Sequence, residues 1–117
     1  MVRPRHPVDL DHLDRYTGGD RVINEEILRL FDDQCRELLT KLDGLTEAEF
    51  DTKAWHEIAH TLKGAARSIG AFELGDAAAA AEQVGNDRAS ALAALQRLKQ
   101  DSAAVAAFIA QLLDGTA

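Results

Sequence analysis

The stretch that decides the fold covers residues 60–70 and reads His60-Thr61-Leu62-Lys63-Gly64-Ala65-Ala66-Arg67-Ser68-Ile69-Gly70. An α-helix turns about 100° per residue, so Lys63, Gly64 and Arg67 fall close to His60 on one face. The apolar side chains of this helical pattern, which begins before residue 60, point the other way. They are Trp55, Ile58, Leu62, Ala65, Ala66 and Ile69. The pattern predicts a helix held down by its apolar side, with His60 at the centre of a polar, positively charged stripe that also includes His56 and Lys53.

Helical periodicity continues on both sides of this segment. We expect helices over residues 9–17, 21–43, 51–70 and 71–84, and a fifth that Asp87 caps. Gly18-Gly19, Gly44 and Gly85 are expected to end the first, second and fourth helices. In the linker 45–50, Thr46 and Glu49 have the spacing of a capping box. The last helix carries an apolar seam at alternating spacings of three and four: Ala91, Leu95, Leu98, Ser102, Val105, Ile109 and Leu112.

The pattern contains no strand signal and therefore predicts an all-α fold. The architecture we expect is an antiparallel up-and-down four-helix bundle with a short additional N-terminal helix. A chain of 117 residues, 46% hydrophobic and 28% charged, is expected to be a single domain over 1–117, with an ordered core over about 8–113.

Charge and composition exclude several classes of function. The net charge of −7 and the lack of a large basic stripe argue against nucleic-acid binding. The strictly apolar runs, among them the five alanines at 77–81, are too short to cross a membrane. The single cysteine, Cys35, allows neither an internal disulfide nor a cysteine-based metal site, and we expect it to pack in the core. We expect a cytoplasmic monomer.

Gln34 interrupts the apolar stripe of the second helix. By helix geometry it falls among Ile23, Ile27, Phe31 and Leu38. A buried amide needs hydrogen-bond partners, so one interpretation is a core glutamine bonded to another buried polar group. The other places Gln34 at the bundle edge beside His60, where it would orient the imidazole or a bound phosphoryl group.

The segment His56-Glu57-Ile58-Ala59-His60 also spells the His-Glu-x-x-His motif of zinc peptidases. A zinc site needs a third protein ligand. The candidate is Glu73, which lies further along the chain. Lys63 and Arg67 would repel a dication on this face. Two further alternatives are a histidine-kinase dimerisation domain, for which no nucleotide-binding glycine segment is present, and a helical adaptor bundle without chemistry.

Gly64 separates these hypotheses best. A glycine inside a helix costs about 1 kcal/mol relative to alanine. Because Gly64 falls on the predicted exposed face, packing does not require it there. Close approach by another molecule is the natural explanation.

The segment resembles the histidine-containing phosphotransfer (HPt) domains of bacterial phosphorelays. The matching positions are His60, Lys63, Gly64, Ala66 and Gly70, followed by Leu74 and the pair Ala81-Glu82. The resemblance implies a helical bundle that accepts a phosphoryl group from a receiver-domain phosphoaspartate and passes it to an aspartate on a second receiver. It implies response-regulator receiver domains and a hybrid sensor kinase as partners, with Mg²⁺ on the receiver and no cofactor on this chain.

The resemblance also assigns roles to residues. His60 would be phosphorylated, and Lys63 would offset the phosphoryl charge. Gly64 would admit the partner's loops. Arg67 stands where the family more often has a small residue. Together with His56 and Gln34, it is expected to contact the partner.

Overall fold

The computed structural model describes residues 6–47 and 49–115, and in these it contains five α-helices and no strand. The helices are α1 (Leu10–Thr17), α2 (Arg21–Glu47), α3 (Thr52–Ser68), α4 (Phe72–Glu82) and α5 (Arg88–Leu113). The four helices α2 to α5 form the bundle, in which α3 and α5 each pack against both α2 and α4. Consequently α3 and α5 lie diagonally opposite, and α1 packs on α2. The predicted all-α bundle with a short N-terminal helix is confirmed.

Large aliphatic side chains and alanines share the core. The largest fully buried side chains include Trp55, Leu28, Leu42, Leu62, Leu74 and Leu98. The buried residues of α3, α4 and α5 include six alanines: Ala59, Ala66, Ala77, Ala78, Ala81 and Ala91. Small side chains let helix backbones approach closely, so α4 can pack tightly against α3. None of the described helices is both long and apolar enough to span a bilayer.

Helix α2 continues past the predicted stop at Gly44 and ends at Glu47. Gly44 keeps a helical backbone, and Leu42 and Thr46 on either side of it are buried. The burial of these neighbours offsets the low helix propensity of glycine. The predicted Thr46 capping box is also wrong, because the Thr46 hydroxyl lies inside the helix and donates to the Asp43 carbonyl at 2.7 Å.

The predicted aspartate caps are confirmed. Asp20 accepts from the backbone N–H of Ile23 at 3.1 Å, Asp51 from that of Ala54 at 3.0 Å and Asp87 from that of Ala89 at 3.2 Å. Each satisfies one of the unpaired N–H groups that a helix start leaves. Helix α4 ends at Glu82, two residues earlier than predicted.

Gly70 joins the N-terminal segment to the end of α3. Its φ of +86° is in the left-handed region, which favours glycine. A Cβ at this position would lie 2.6 Å from the Asp9 carbonyl oxygen, and the Asp9 N–H donates to the Gly70 carbonyl at 2.9 Å. Gly70 therefore belongs to the packing of the chain start against the bundle.

Gln34 is exposed, so the interpretation as a core glutamine is wrong. The buried face of α2 is rotated away from the predicted stripe and carries Asn24, Leu28, Phe31, Cys35, Leu38 and Leu42. The buried amide of this helix is that of Asn24, which donates to Asp14 at 2.7 Å and accepts from Thr17 at 2.6 Å. These bonds tie α1 to α2 and satisfy the buried amide.

Candidate functional site

The exposed face of α3 presents His60 to solvent, with 64% of the side chain accessible. Gly64 lies one turn further along the same helix and is also exposed. Apart from its chain neighbours and the backbone of its own helix, a Cβ added to Gly64 would have no described atom within 4 Å. The surface over Gly64 is thus open to an approaching molecule, as the sequence predicts.

The Glu82 carboxylate, at the end of α4, contacts both His60 and Lys63. Its Oε1 lies 3.1 Å from Nδ1 of His60, and its Oε2 lies 2.6 Å from the Lys63 ammonium. The second contact is an ion pair without good hydrogen-bond angles. Only 8% of the Glu82 side chain is exposed, so a nearly buried carboxylate backs the exposed imidazole.

The environment of Glu82 fixes its charge. Contact with the Lys63 ammonium is the largest influence on the pKa of Glu82, and the His60 hydrogen bond acts in the same direction. Together they outweigh desolvation and hold this pKa below its usual value of 4.5. An ionised carboxylate only accepts hydrogen bonds, so Nδ1 of His60 carries the proton. In the neutral ring the lone pair is therefore on Nε2.

Lys63 is less exposed than the sequence predicts. Only 22% of its side chain is accessible, since the ammonium turns toward Glu82. The predicted cationic stripe is partly neutralised where α4 packs against it.

Two consecutive residues of α3 bind the last turn of α4. The indole N–H of Trp55 donates to the Ala81 carbonyl at 2.8 Å, and Nδ1 of His56 lies 3.0 Å from the Glu82 carbonyl. The rings of His56 and His60 are nearly parallel, with an interplanar angle of 12° and centroids 6.5 Å apart.

Arg67 also turns toward α4. Its guanidinium lies 3.7 Å from the Asp76 carboxylate, and its stem covers Gly75, where a Cβ would lie 2.8 Å from Cγ of Arg67. Both charged groups remain about half exposed. The glycine of α4 thus makes room for the bulky arginine.

Comparison with protein-family models matches the Hpt domain family over residues 26–115, which is more than half of the chain. The chain belongs to the Hpt domain family. Comparisons with curated proteins and with solved structures found no match. Hpt domains serve histidine phosphotransfer in phosphorelays and interact with receiver domains and kinases.

The site residues predicted for this HPt domain do not all meet. His56, His60 and Lys63 converge on Glu82, whereas Arg67 reaches Asp76, nearer the start of α4. Gln34 lies on α2 and makes no hydrogen bond to His60 among the described residues. The sequence did not assign a role to Glu82. In the sequence, Glu82 stands out as half of the Ala81-Glu82 pair that matches the family, but no local pattern places it beside His60.

Glu73, the ligand offered for a zinc site, lies at the start of α4, at the opposite end from Glu82. Its negative charge acts on Asp101 of α5. Within residues 6–47 and 49–115, no group of three or more His, Cys, Asp or Glu side chains is arranged to hold a metal ion.

Proposed function

We propose that this HPt domain carries phosphoryl groups on His60 between receiver domains. The Nε2 lone pair of His60 attacks the phosphorus of a receiver's aspartyl phosphate. An N–P bond forms, the P–O bond to the aspartate breaks, and the carboxylate leaves with the bonding electrons. The phosphohistidine then passes the group to an aspartate on a second receiver by the same exchange.

One observation carries the proposal: the exposed His60 ring is bound at Nδ1 by the Glu82 carboxylate, 3.1 Å away. This contact favours the tautomer in which Nε2 is the free nucleophile. After attack, the phosphorylated ring still carries a proton on Nδ1 and is positively charged. The same carboxylate would stabilise that charge, as a buried acid does beside other catalytic histidines.

Lys63 and Gly64 complete the site in this proposal. Phosphoryl transfer depends mainly on positioning and charge neutralisation. The Lys63 stem is flexible, so its ammonium can move from Glu82 to a phosphoryl oxygen when the group arrives. Gly64 leaves space for the partner's active-site loops, and the Mg²⁺ that the transfer needs is expected on the receiver.

We further propose that the receiver docks across α3 and the adjoining flank of α2. On α2, Gln34 and Asp43 point in opposite directions, about 180° apart around the helix axis. Asp43 pairs with Lys99 of α5. The flank that carries Gln34 therefore faces α3. It includes Ile23 and Leu30, whose exposed fractions of 44% and 64% are large for aliphatic side chains. A hybrid sensor kinase would supply the first receiver, and we expect the chain to act as a cytoplasmic monomer.

The test uses a receiver domain charged with radiolabelled acetyl phosphate and freed of the small donor before mixing. We expect label to move to this chain in a form that is labile to acid and stable to base, as phosphohistidine is. ATP alone should label nothing. Complex formation with the receiver without transfer of label would favour the adaptor alternative, and base-labile label would contradict a histidine acceptor.

A further inference from the structure

We propose that His56 is a positioning residue for phosphotransfer, which holds the end of α4 so that Glu82 can orient His60. This inference rests on the proposed function. It assigns His56 an indirect action through Glu82, instead of the direct contact with a partner that the sequence suggests.

The contact between His56 and α4 has a defined direction. A backbone carbonyl only accepts hydrogen bonds, so Nδ1 of His56, 3.0 Å from the Glu82 carbonyl, must carry the proton. The last carbonyls of a helix lack partners inside the helix and need donors from elsewhere. The last turn of α4 contains no basic residue that could supply one. Trp55 and His56 supply these donors from α3, at neighbouring carbonyls.

Packing alone does not explain His56. Trp55 is 1% exposed and fills the core, whereas 53% of the His56 side chain is accessible. His56 binds the backbone carbonyl of Glu82, and the side-chain carboxylate of the same Glu82 binds His60. Moving the Glu82 backbone would move that carboxylate away from Nδ1 of His60. His56 therefore controls the tautomer of His60 through one intervening residue.

The experiment compares His56→Ala with His56→Asn, whose amide nitrogen can occupy the place of Nδ1 and keep the hydrogen bond. Two-dimensional ¹H–¹⁵N spectra of the imidazole rings at about pH 8, where histidines are mostly neutral, report the His60 tautomer. The wild type and His56→Asn should show the proton mainly on Nδ1 of His60, and His56→Ala should lose that preference. At saturating phosphorylated receiver, the transfer rate of His56→Ala should fall about two- to tenfold, the range for one hydrogen bond, and His56→Asn should restore it.

Two results would overturn the inference. One is an alanine variant that keeps the His60 tautomer and the saturating rate and changes only the receiver concentration needed, since that describes a docking contact. The other is failure of asparagine to restore the tautomer while circular dichroism shows intact helices. The tautomer is measured without phosphorylation. A wild type that shows the expected tautomer but accepts no phosphoryl group would therefore refute the proposed function and leave the tautomer result standing.

Discussion

At the scale of single residues, Glu82 gives an ordinary surface histidine a defined chemical state. His60 alone is an exposed imidazole, and many such residues have no role. The nearly buried carboxylate 3.1 Å from Nδ1 leaves the lone pair of the neutral ring on Nε2, the nitrogen that the proposed transfer uses, and it holds the Lys63 ammonium at 2.6 Å. The charge of Glu82 is therefore the property on which the site depends.

Glu82→Gln should change how stability depends on pH. The folded protein holds the pKa of Glu82 below 4.5, so the ionised carboxylate stabilises the fold above about that pH. This contribution is lost as the pH falls further, through the lowered pKa of the folded state. Melting temperatures of the wild type and the variant should therefore differ most near neutral pH and converge below 4.5. A difference that stays constant from neutral pH into the acid range would show that the carboxylate charge is not involved.

At the scale of elements, three glycines within helices or at a helix end occupy their positions for different reasons. Gly44 is inside α2 and Gly64 inside α3, and a Cβ on either would meet no described atom within 4 Å. Gly70 has a positive φ and no room for a Cβ. Only Gly64 is next to His60, so these two exposed helical glycines can be used as a matched pair.

Gly64→Gln should block phosphotransfer and stabilise the fold, with Gly44→Gln as its control. Glutamine is the better helix former, so each variant should gain about 0.5–1 kcal/mol of unfolding free energy. Only the change at Gly64 places a side chain in the path of a docking receiver. Chemical denaturation and transfer assays separate the two effects. Equal transfer by both variants, or a loss of stability in Gly64→Gln, would mean that Gly64 does not serve partner approach.

Helix existence and the aspartate caps were predictable because they depend on local patterns. The end of α2 was not, because the continuation past Gly44 depends on burial of Leu42 and Thr46 in the assembled bundle. Gln34 was misplaced for a related reason. The apolar stripe chosen from the sequence included exposed aliphatic residues, and Asn24 is the buried amide instead.

The placement of His60, Lys63 and Gly64 on one face could be predicted from their spacing along a single helix. The role of Glu82 could not, since it depends on how α4 is rotated against α3. The same dependence explains Arg67, whose pairing with Asp76 crosses between two helices.

At the scale of the whole molecule, the bundle separates the face that carries His60 from its opposite side. Because α3 and α5 are diagonal, a partner on α3 and the α2 flank would not reach the outer face of α5. Both helices carry an exposed leucine, Leu30 on the α2 flank beside α3 and Leu92 on the side of α5 that carries Lys99. This pair tests where the receiver docks.

Leu30→Glu should weaken docking, and Leu92→Glu should not. Burying a leucine at an interface contributes about 1.5–3 kcal/mol, so the receiver concentration for half-maximal transfer should rise on the order of tenfold or more for Leu30→Glu. Both substitutions are on the surface and should leave unfolding free energies within about 0.5 kcal/mol of the wild type. Titrating the phosphorylated receiver against each variant measures this. A larger effect at Leu92 would move the docking surface away from α3.

The most direct test of the central claim is to identify which histidine takes the phosphoryl group from a labelled receiver. Wild type, His60→Gln and His12→Gln are compared at equal helical content by circular dichroism; the last carries the same substitution on α1, away from the site. We expect near-stoichiometric, acid-labile label on the wild type and on His12→Gln, and none on His60→Gln. Acid-labile label retained by folded His60→Gln would contradict it.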